Sequence, residues 1–526
     1  MLKKIPTPRK IRPGRITGQA SNRNLMLSIP LQVLEILNVL EKNKYEAYIV
    51  GGCVRDLLMD NPPAGGPKDW DIATNAQPEE VQKFFPDSFY ENEFGTVGVK
   101  VEPFMPEPAR IATQSVAGGG KKKHDVIEIT TYRIESKYSD KRHPDKIKFA
   151  KTLKEDLSRR DFTINALALK VEKNKTEIVD LFEGQKDLQK KIIRTVGDPE
   201  ERFSEDALRM MRAVRFSSVL GFKIEKKTLE SIKKNAKLLS YVSQERIKEE
   251  LQKIILSDQP SEGIDLLHET GLNNFIIPEL EKGVGIKQNR HHIYTIYKHS
   301  LLALKYCPSA KLEVRLASLL HDIAKPQTKR GEGEFSTFYN HDHVGARVAE
   351  KVLERLRFSR ETIEKVKLLV DNHMFYYNPD EVTESSVRRL VQKVGLDNMK
   401  DLIELRIADR LGSGTPKAKP YKLRHLEYII DKISHDAISV KMLKANGNDL
   451  IKTLQIKPGP KIGAILDVLL AEVIEDPSKN TQELLLARAK ELDKKNLETL
   501  RKMAKVKIEE KKEEEDKELK GKYWVK

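Results

Sequence analysis

AYIVGGCVRDLLMDNPPAGGPKDWDIAT, residues 47–74, is the stretch on which the reading of this chain turns. An apolar strand, Ala47–Val50, runs into Gly51 and Gly52 and then into the helix-like CVRDLLM. Further on, Asp69 and Asp71 flank Trp70. Residues two apart in an extended strand share a face, so both carboxylates reach one site. Paired hard oxygen ligands suit Mg²⁺, which commonly takes one or two carboxylates plus substrate phosphates. Gly51 and Gly52 let the backbone approach a polyphosphate where a side chain would collide. An isolated Asp-x-Asp is more often a solvated turn. The order strand, Gly-Gly, Arg55-Asp56, then Asp69 and Asp71 favours a metal and polyphosphate site over a solvated turn.

Working outward, strand-like patterns concentrate in residues 45–182. VIEITTY (Val126–Tyr132) alternates like a strand and brings Glu128 toward the aspartate pair as a third carboxylate. The glycine- and lysine-rich Val116–His124 reads as an inserted loop, and Asp140-Lys141-Arg142-His143-Pro144 as a polar, turn-forming loop. After Asp198-Pro199 the pattern is helical almost to the end, as in ALRMMRAVRF and RIKEELQKIIL. The expected class is α+β: a small mixed sheet, then helices. The expected domains are a basic arm (1–28), a head (29–182), a neck (183–285), a helical body (286–415) and a tail (416–526).

SEDALRMMRAVRF (Ser204–Phe216) reads as a helix placing Asp206 and Arg209, at i and i+3, on one face. A carboxylate accepts from an exocyclic amine, and a guanidinium donates to ring acceptors. Cytosine and adenine both offer an amine beside a ring acceptor, whereas uracil and guanine reverse that order. Such a pair accepts CTP and ATP and rejects UTP and GTP. The plainer alternative is a weak surface ion pair.

The motifs follow one another in a family's order. Gly51, Gly52, Arg55, Asp56, Asp69 and Asp71 come first, then SRRDFTINALAL (Ser158–Leu169), SEDALRMMRAVRF and QERIKEEL (Gln244–Leu251). In this the chain resembles the tRNA nucleotidyltransferase/poly(A) polymerase family, the class that includes bacterial CCA-adding enzymes. The resemblance implies ribose recognition by Arg159, Arg160, Asp161 and Asn165, and nucleobase reading by Glu205, Asp206, Arg209 and Arg212. QERIKEEL matches the motif that braces the neck. Glu128 matches the family's additional acidic residue. The 140–144 loop, with Asp140 and Arg142, resembles the one used in changing from C to A addition.

A second constellation starts at HHIYTIYKHSLLAL (residues 291–304). It comprises His299, His321 and Asp322 on predicted helices, His341, His373 and Asp409, with His343 as a substitute for His341. Histidine and carboxylate ligands spread over several helices suit an imidazole-rich metal site. The order resembles the HD phosphohydrolase superfamily, with Mn, Ni, Co or Fe as candidate metals. That resemblance implies an accessory hydrolase of phosphomonoesters or 2′,3′-cyclic phosphates, although many such domains act only as a body.

Composition agrees with an RNA partner: 95 Lys and Arg against 79 Asp and Glu give a net charge of +16. A positive field steers phosphate backbones. The arm carries Lys3, Lys4, Arg9, Lys10, Arg12 and Arg15 among prolines and glycines and lacks the apolar core of a secretory signal. Cys53 and Cys307 form no disulfide framework, which suits the cytoplasm. No apolar run is long enough for a membrane span. In the tail, Gly459-Pro460-Lys461-Ile462-Gly463 opens an amphipathic helix that either holds phosphate, with Lys461 adding charge, or is a plain capping turn. The alternating Lys and Glu beyond about residue 484 read as a solvated helix or frayed end.

The resemblance therefore implies a template-independent enzyme adding C, C and A to the tRNA 3′ end from CTP and ATP. Its Mg²⁺ ions sit on Asp69 and Asp71, in a two-metal displacement releasing pyrophosphate. The tail implies contact with the acceptor/T-arm. The rivals are a poly(A) polymerase, an A-adding enzyme, and an RNA-binding scaffold whose only chemistry is HD hydrolysis. The Phe-Gly-Thr-Val of ENEFGTVGVKV (Glu91–Val101) reads as CCA-type.

Overall fold

The computed structural model describes residues 28–59, 67, 69–92, 95–104, 124–135, 147–172, 175–289, 293–379, 381–414, 419–435 and 443–525. The basic arm, the 140–144 loop with Asp140 and Arg142, and nearly all of Val116–His124 lie outside them. The chain divides into two compact units, residues 1–281 with 355–358, and residues 282–354 with 359–526. The first unit ends at 281, short of the expected neck boundary at 285, and takes residues 355–358 from the expected body.

Nine strands build the head: β1 (Ala47–Val50), β2 (Trp70–Thr74), β3 (Ser88–Asn92), β4 (Thr96–Val101), β5 (Asp125–Thr131), β6 (Arg133–Glu135), β7 (Ile147–Phe149), β8 (Leu167–Glu172) and β9 (Lys175–Asp180). Seven form one mixed sheet in the order β3-β4-β5-β2-β1-β8-β9, while β6 and β7 pair separately. Only β2 and β5 run parallel within it. Period-two alternation decides what each face carries. Ile49, Trp70, Ile72, Ile127, Ile129 and Leu167 bury one face against Val33, Ile36, Leu37 and Leu40 of the Leu31–Lys42 helix. Each such side chain contributes about 1.5–3 kcal/mol. On the other face Val50, Ala73 and Ala168 pack against Tyr132, Leu153 and Leu157. By the same alternation, that face also carries Asp71 and Glu128.

The neck is helical. Pro199 and Pro260 each sit in the first turn of a helix, where the missing N–H costs nothing. Met210, Met211, Ala213 and Val214 are fully buried in the Leu208–Leu220 helix, which packs on the helices Gln244–Ile255 and Pro260–Glu269. One expectation fails here. Ser204–Phe216 is two helices, broken at Asp206, whose backbone is extended (φ −137°, ψ 104°). The cause is local: the Asp206 carboxylate accepts from the Leu208 N–H (3.0 Å) and so starts the second helix. Asp206 and Arg209 do not share a helix face.

In the second unit, the helices Ile296–Lys305, Leu312–Leu320, Arg360–Asp371 and Leu396–Gly412 pack together. At Gly412 a Cβ would lie 2.8 Å from the Ala303 N atom, so only glycine allows these two helix backbones to meet so closely. The helices Gly447–Leu454, Pro460–Glu475, Gln482–Asp493 and Leu497–Tyr523 share an apolar core that includes Leu450, Ile465, Leu469 and Leu492. The Lys/Glu-rich end is a helix, and it is tethered. Tyr428 hydrogen-bonds Asp516, and Asp431 accepts from Lys522 (2.8 Å) and Tyr523 (3.0 Å). Among the described residues no helix is long and apolar enough to cross a membrane.

Candidate active site and metal centre

The β1 strand ends at Gly51, which has φ +84°. A Cβ there would stand 3.0 Å from Arg160 Nη1 and 3.2 Å from Asp71 Oδ2. Backbone, acid and guanidinium therefore converge, and a side chain at position 51 would press on both groups while straining the turn. Asp71 on β2 is the register partner of Glu128 on β5. Asp69, exposed, precedes Asp71 by two residues at the mouth of β2. Arg159 and Arg160 are both drawn to the buried Asp156, at 2.8 and 3.3 Å. Sequence reasoning missed Asp156; its signal is the spacing i, i+3 and i+4 in EDLSRR.

Beside this corner runs a network of named partners. Gly52 opens the short helix that carries Arg55. Arg55 donates from Nε to Asp56 (2.8 Å) and from Nη1 to Asn165 (2.8 Å). Asn165 donates to Asp161 (3.1 Å), and Arg212 Nε donates to the other Asp161 oxygen (2.7 Å). Arg215 then meets Glu250 at 3.1 Å. Phe216 lies under Arg215, whose Cζ is 4.1 Å from the ring centroid, and stacks edge-on against Phe162. Burial alone would push the Asp161 carboxyl up, but Arg212, Asn165 and Arg209 hold it down at about 2.

Asp206 and Arg209 are held by partners inside and outside their own motif. Arg246 grips both Asp206 oxygens, Nη2 to Oδ2 at 2.7 Å and Nη1 to Oδ1 at 3.2 Å. Arg209, buried, donates to Glu205 (2.6 Å) and to the carbonyls of Arg202 (3.3 Å) and Arg159 (3.0 Å). Arg246 and Glu250 belong to QERIKEEL, whose i, i+4 spacing put them on one helix face without revealing their partners.

In the second unit the six predicted ligands meet. His321 and Asp322 lie just past the Leu312–Leu320 helix, His321 at its C-cap, rather than within it. His299, His321 and Asp409 offer ligand atoms within 4.8 Å of one another, as do Asp322, His341 and His373. Asp322 joins the two groups. Its Oδ2 is 3.1 Å from His299 Nε2 and 3.3 Å from His321 Nε2, and its Oδ1 is 3.4 Å from His341 Nε2. His343 is elsewhere: it is exposed and pairs with Asp371.

The donor set fits a metal. The Nδ1 atoms of His321, His341 and His373 bond the carbonyls of Ser318, Phe338 and Val370 at 2.9, 2.7 and 2.7 Å. Those bonds assign the proton to Nδ1 and leave the Nε2 lone pairs facing inward. His341 Nε2 and His373 Nε2 are buried without a hydrogen-bond partner. Burial pushes His373 down to about 3 and lowers His341, keeping both neutral as ligands must be. Burial opposes charge on His299 too, but Asp322 and Asp409 outweigh it and raise that histidine to about 9.

The first unit thus defines a class: a nucleotidyltransferase head joined to a helical neck. Residues 47–194 match the Poly A polymerase head domain. Residues 221–283 match a probable RNA and SrmB-binding site of polymerase A, and residues 336–489 match tRNA nucleotidyltransferase domain 2. The CCA-adding enzyme of Ligilactobacillus salivarius is 34% identical over 472 residues, spanning 88% of this chain and 98% of that protein. That of Pediococcus pentosaceus is 33% identical over 459 residues, spanning 87% and 97%. The Bacillus stearothermophilus CCA-adding enzyme in complex with CTP has a TM-score of 0.54 at 27% identity, covering 88% of this chain and 96% of that one. The chain belongs to the tRNA nucleotidyltransferase family that contains these CCA-adding enzymes.

Proposed function

We propose that this protein adds C, C and A to the tRNA 3′ end from CTP and ATP, releasing pyrophosphate, with no nucleic-acid template. The observation that carries this reading is the convergence of Gly51, Asp71 and Arg160 beside a network reaching Asp161 and Arg212. Membership among the CCA-adding enzymes supports it. Asp69 and Asp71, with Glu128 alongside, offer oxygen donors alone, the set that suits Mg²⁺. Bound there, Mg²⁺ would supply charge neutralisation at the attacking 3′-hydroxyl and the leaving pyrophosphate. Gly51 leaves room for the triphosphate, and Arg160 offers it a cation. Arg55, Asp56, Arg159, Asp161 and Asn165 shape the ribose side. Asp206 accepts from the base amine, and Arg209 donates to the ring acceptor. Lys and Arg in excess draw in the tRNA backbone. Two unpaired cysteines, Cys53 and Cys307, fit a cytoplasmic setting.

Selection should depend on Arg246, which holds Asp206 in place. In competition among all four nucleotides on one tRNA, the unaltered protein is expected to take C and A. Arg246→Met should weaken that preference by about 10- to 150-fold, the worth of one charged hydrogen bond, while metal-dependent incorporation continues. Equal slowing of all four nucleotides with selectivity intact would make Arg246 structural only.

An accessory metal-dependent phosphohydrolase is the reading the histidine–aspartate centre favours: His299, His321, Asp322, His341, His373 and Asp409 would hold the metal, which would polarise a phosphate ester and activate water. Imidazole-rich ligation favours Mn, Ni, Co or Fe there. His321→Ala and Asp322→Ala are expected to strip bound metal, measured by elemental analysis, and to leave CCA addition intact. Equal loss of addition in the folded variants would mean that these residues serve structure.

A further inference from the structure

The row of side chains that carries the acids of the head does not stop at them. Residues directly opposite on paired strands share a face of the sheet. The register runs Val50, Asp71, Glu128, Gly98 and Phe89 across β1, β2, β5, β4 and β3. Phe89 therefore stands on the face of Asp71 and Glu128, at the outer end of the row. Neighbouring strands are about 4.8 Å apart, so its backbone lies about 10 Å from Glu128. Its ring leans back toward the acids. Phe89 Cζ is 2.6 Å from where a Gly98 Cβ would be, so only glycine at 98 lets the ring reach over β4.

The strip between ring and acids is exposed and mixed in character. Phe89 is 36% exposed, and Val126, two residues before Glu128 on the same face of β5, is 39% exposed. Lys100 is the register partner of Val126 and follows Gly98 by two residues. It too is exposed, and its Nζ stands 5.7 Å from the Phe89 ring centroid. A ring, a pair of methyls and an ammonium leading to a carboxylate match one nucleotide of an RNA chain: a base to stack and a phosphate to neutralise. The plainer alternative is that Phe89 only covers the bare backbone of Gly98. Any apolar side chain of similar size would do that, whereas stacking needs the ring.

The direction of the reaction says which nucleotide. Gly51 and Arg160, which suit the triphosphate, meet Asp71 at the end of β1. In-line displacement puts the attacking oxygen opposite the leaving pyrophosphate. The side of the acids away from β1 is the strip over β5, β4 and β3. An RNA end with its 3′-hydroxyl at Glu128 carries its last base back along that strip, toward Phe89.

We propose that Phe89 stacks on the base of the acceptor's 3′-terminal nucleotide, with Lys100 at the adjoining phosphate, so that this strip seats the growing RNA end. The proposal rests on the addition reading above and adds the seat of its acceptor. Stacking suits the task, because the terminal base changes after an addition and every base has a π-face. A hydrogen-bonding readout at this place would reject one end or another.

The test uses the full chain and acceptor-stem minihelices that end either in cytidine or in an abasic nucleotide, extended with CTP in single turnover. The unaltered protein should extend the abasic end about 5- to 150-fold more slowly. Phe89→Leu, which keeps Gly98 covered, should lose about the same factor on the cytidine end and nothing further on the abasic one, since the two changes remove one interaction. Phe89→Tyr should restore the difference between the ends. Losses that multiply, or an abasic end extended as fast as the intact one, would overturn the proposal and leave Phe89 a cover for Gly98. Lys100→Gln should weaken minihelix binding and lower its log–log salt slope by about one; an unchanged slope would overturn the part given to Lys100. The same minihelices are titrated without CTP. Base-dependent binding that Phe89→Leu abolishes, in a protein that extends neither end, would remove the addition reading alone.

Discussion

Asp71→Asn is expected to abolish nucleotide addition, by about a thousandfold or more, while tRNA binding persists. The size follows from removing a charged ligand where charge builds up in the reaction. Asparagine keeps the shape of the side chain, so the corner made by Gly51 and Arg160 stays open and the β2–β5 pairing is untouched. The basic surface that draws in tRNA loses no cation. Single-turnover extension and a separate tRNA-binding measurement divide the two effects. Near-normal incorporation with Mg²⁺ would refute the role of Asp71. Weakened tRNA binding to the same degree as activity would also count against it.

Asp161→Ala should be the most destabilising single change in the first unit, by about 3–5 kcal/mol. Asp161 is buried, and it is the acceptor for both Asn165 and Arg212. Its loss leaves the Arg212 guanidinium short of its counter-charge and removes the acceptor that links Asn165 to Arg212. The same carboxyl makes a pH prediction. Its folded value of about 2 lies below the ordinary aspartate value of 3.8. The stabilisation is therefore complete above pH ~4 and is lost as pH falls through ~2, amounting to about 2–3 kcal/mol. Denaturant melts at pH 7, 4 and 2.5 should show the unaltered protein losing this contribution with acid. Asp161→Ala should lack that part of the slope. Identical acid dependence in both proteins would mean that Asp161 is not held ionised in the folded state.

What could be read from the chain was what short spacing encodes. The alternation of VIEITTY brought Glu128 toward the aspartates, and it is the register partner of Asp71; Gly51 and Gly52 marked a close backbone approach, and Gly51 makes it at φ +84°. Four histidines and two aspartates, His321 and Asp322 adjacent and the rest on separate segments, come together in two groups of three because each sits in a helical pattern or beside a helix end. What could not be read was long-range pairing. Nothing in SEDALRMMRAVRF announces that Asp206 breaks the helix by capping its own continuation, or that Arg246, forty residues on, takes both its oxygens. Glu250 is likewise buried by partners whose distance no periodicity records. In the tail, composition left two readings open at each end. Lys461 is spent on Asp493 (2.7 Å), which favours the capping turn over a phosphate site. Of the two readings of the Lys/Glu stretch, solvated helix or frayed end, the structure has the helix, pinned through Asp516 and Tyr523.

The central claim is stepwise CCA addition, and one extension assay addresses it most directly. A tRNA ending at its discriminator base is incubated with Mg²⁺ and CTP, ATP or both, and the products are resolved at single-nucleotide length. The account predicts two additions with CTP alone and a third, ending in A, when both nucleotides are present, with no growth beyond it. Long A tails with ATP alone, or no extension in any mixture by the folded protein, would contradict it.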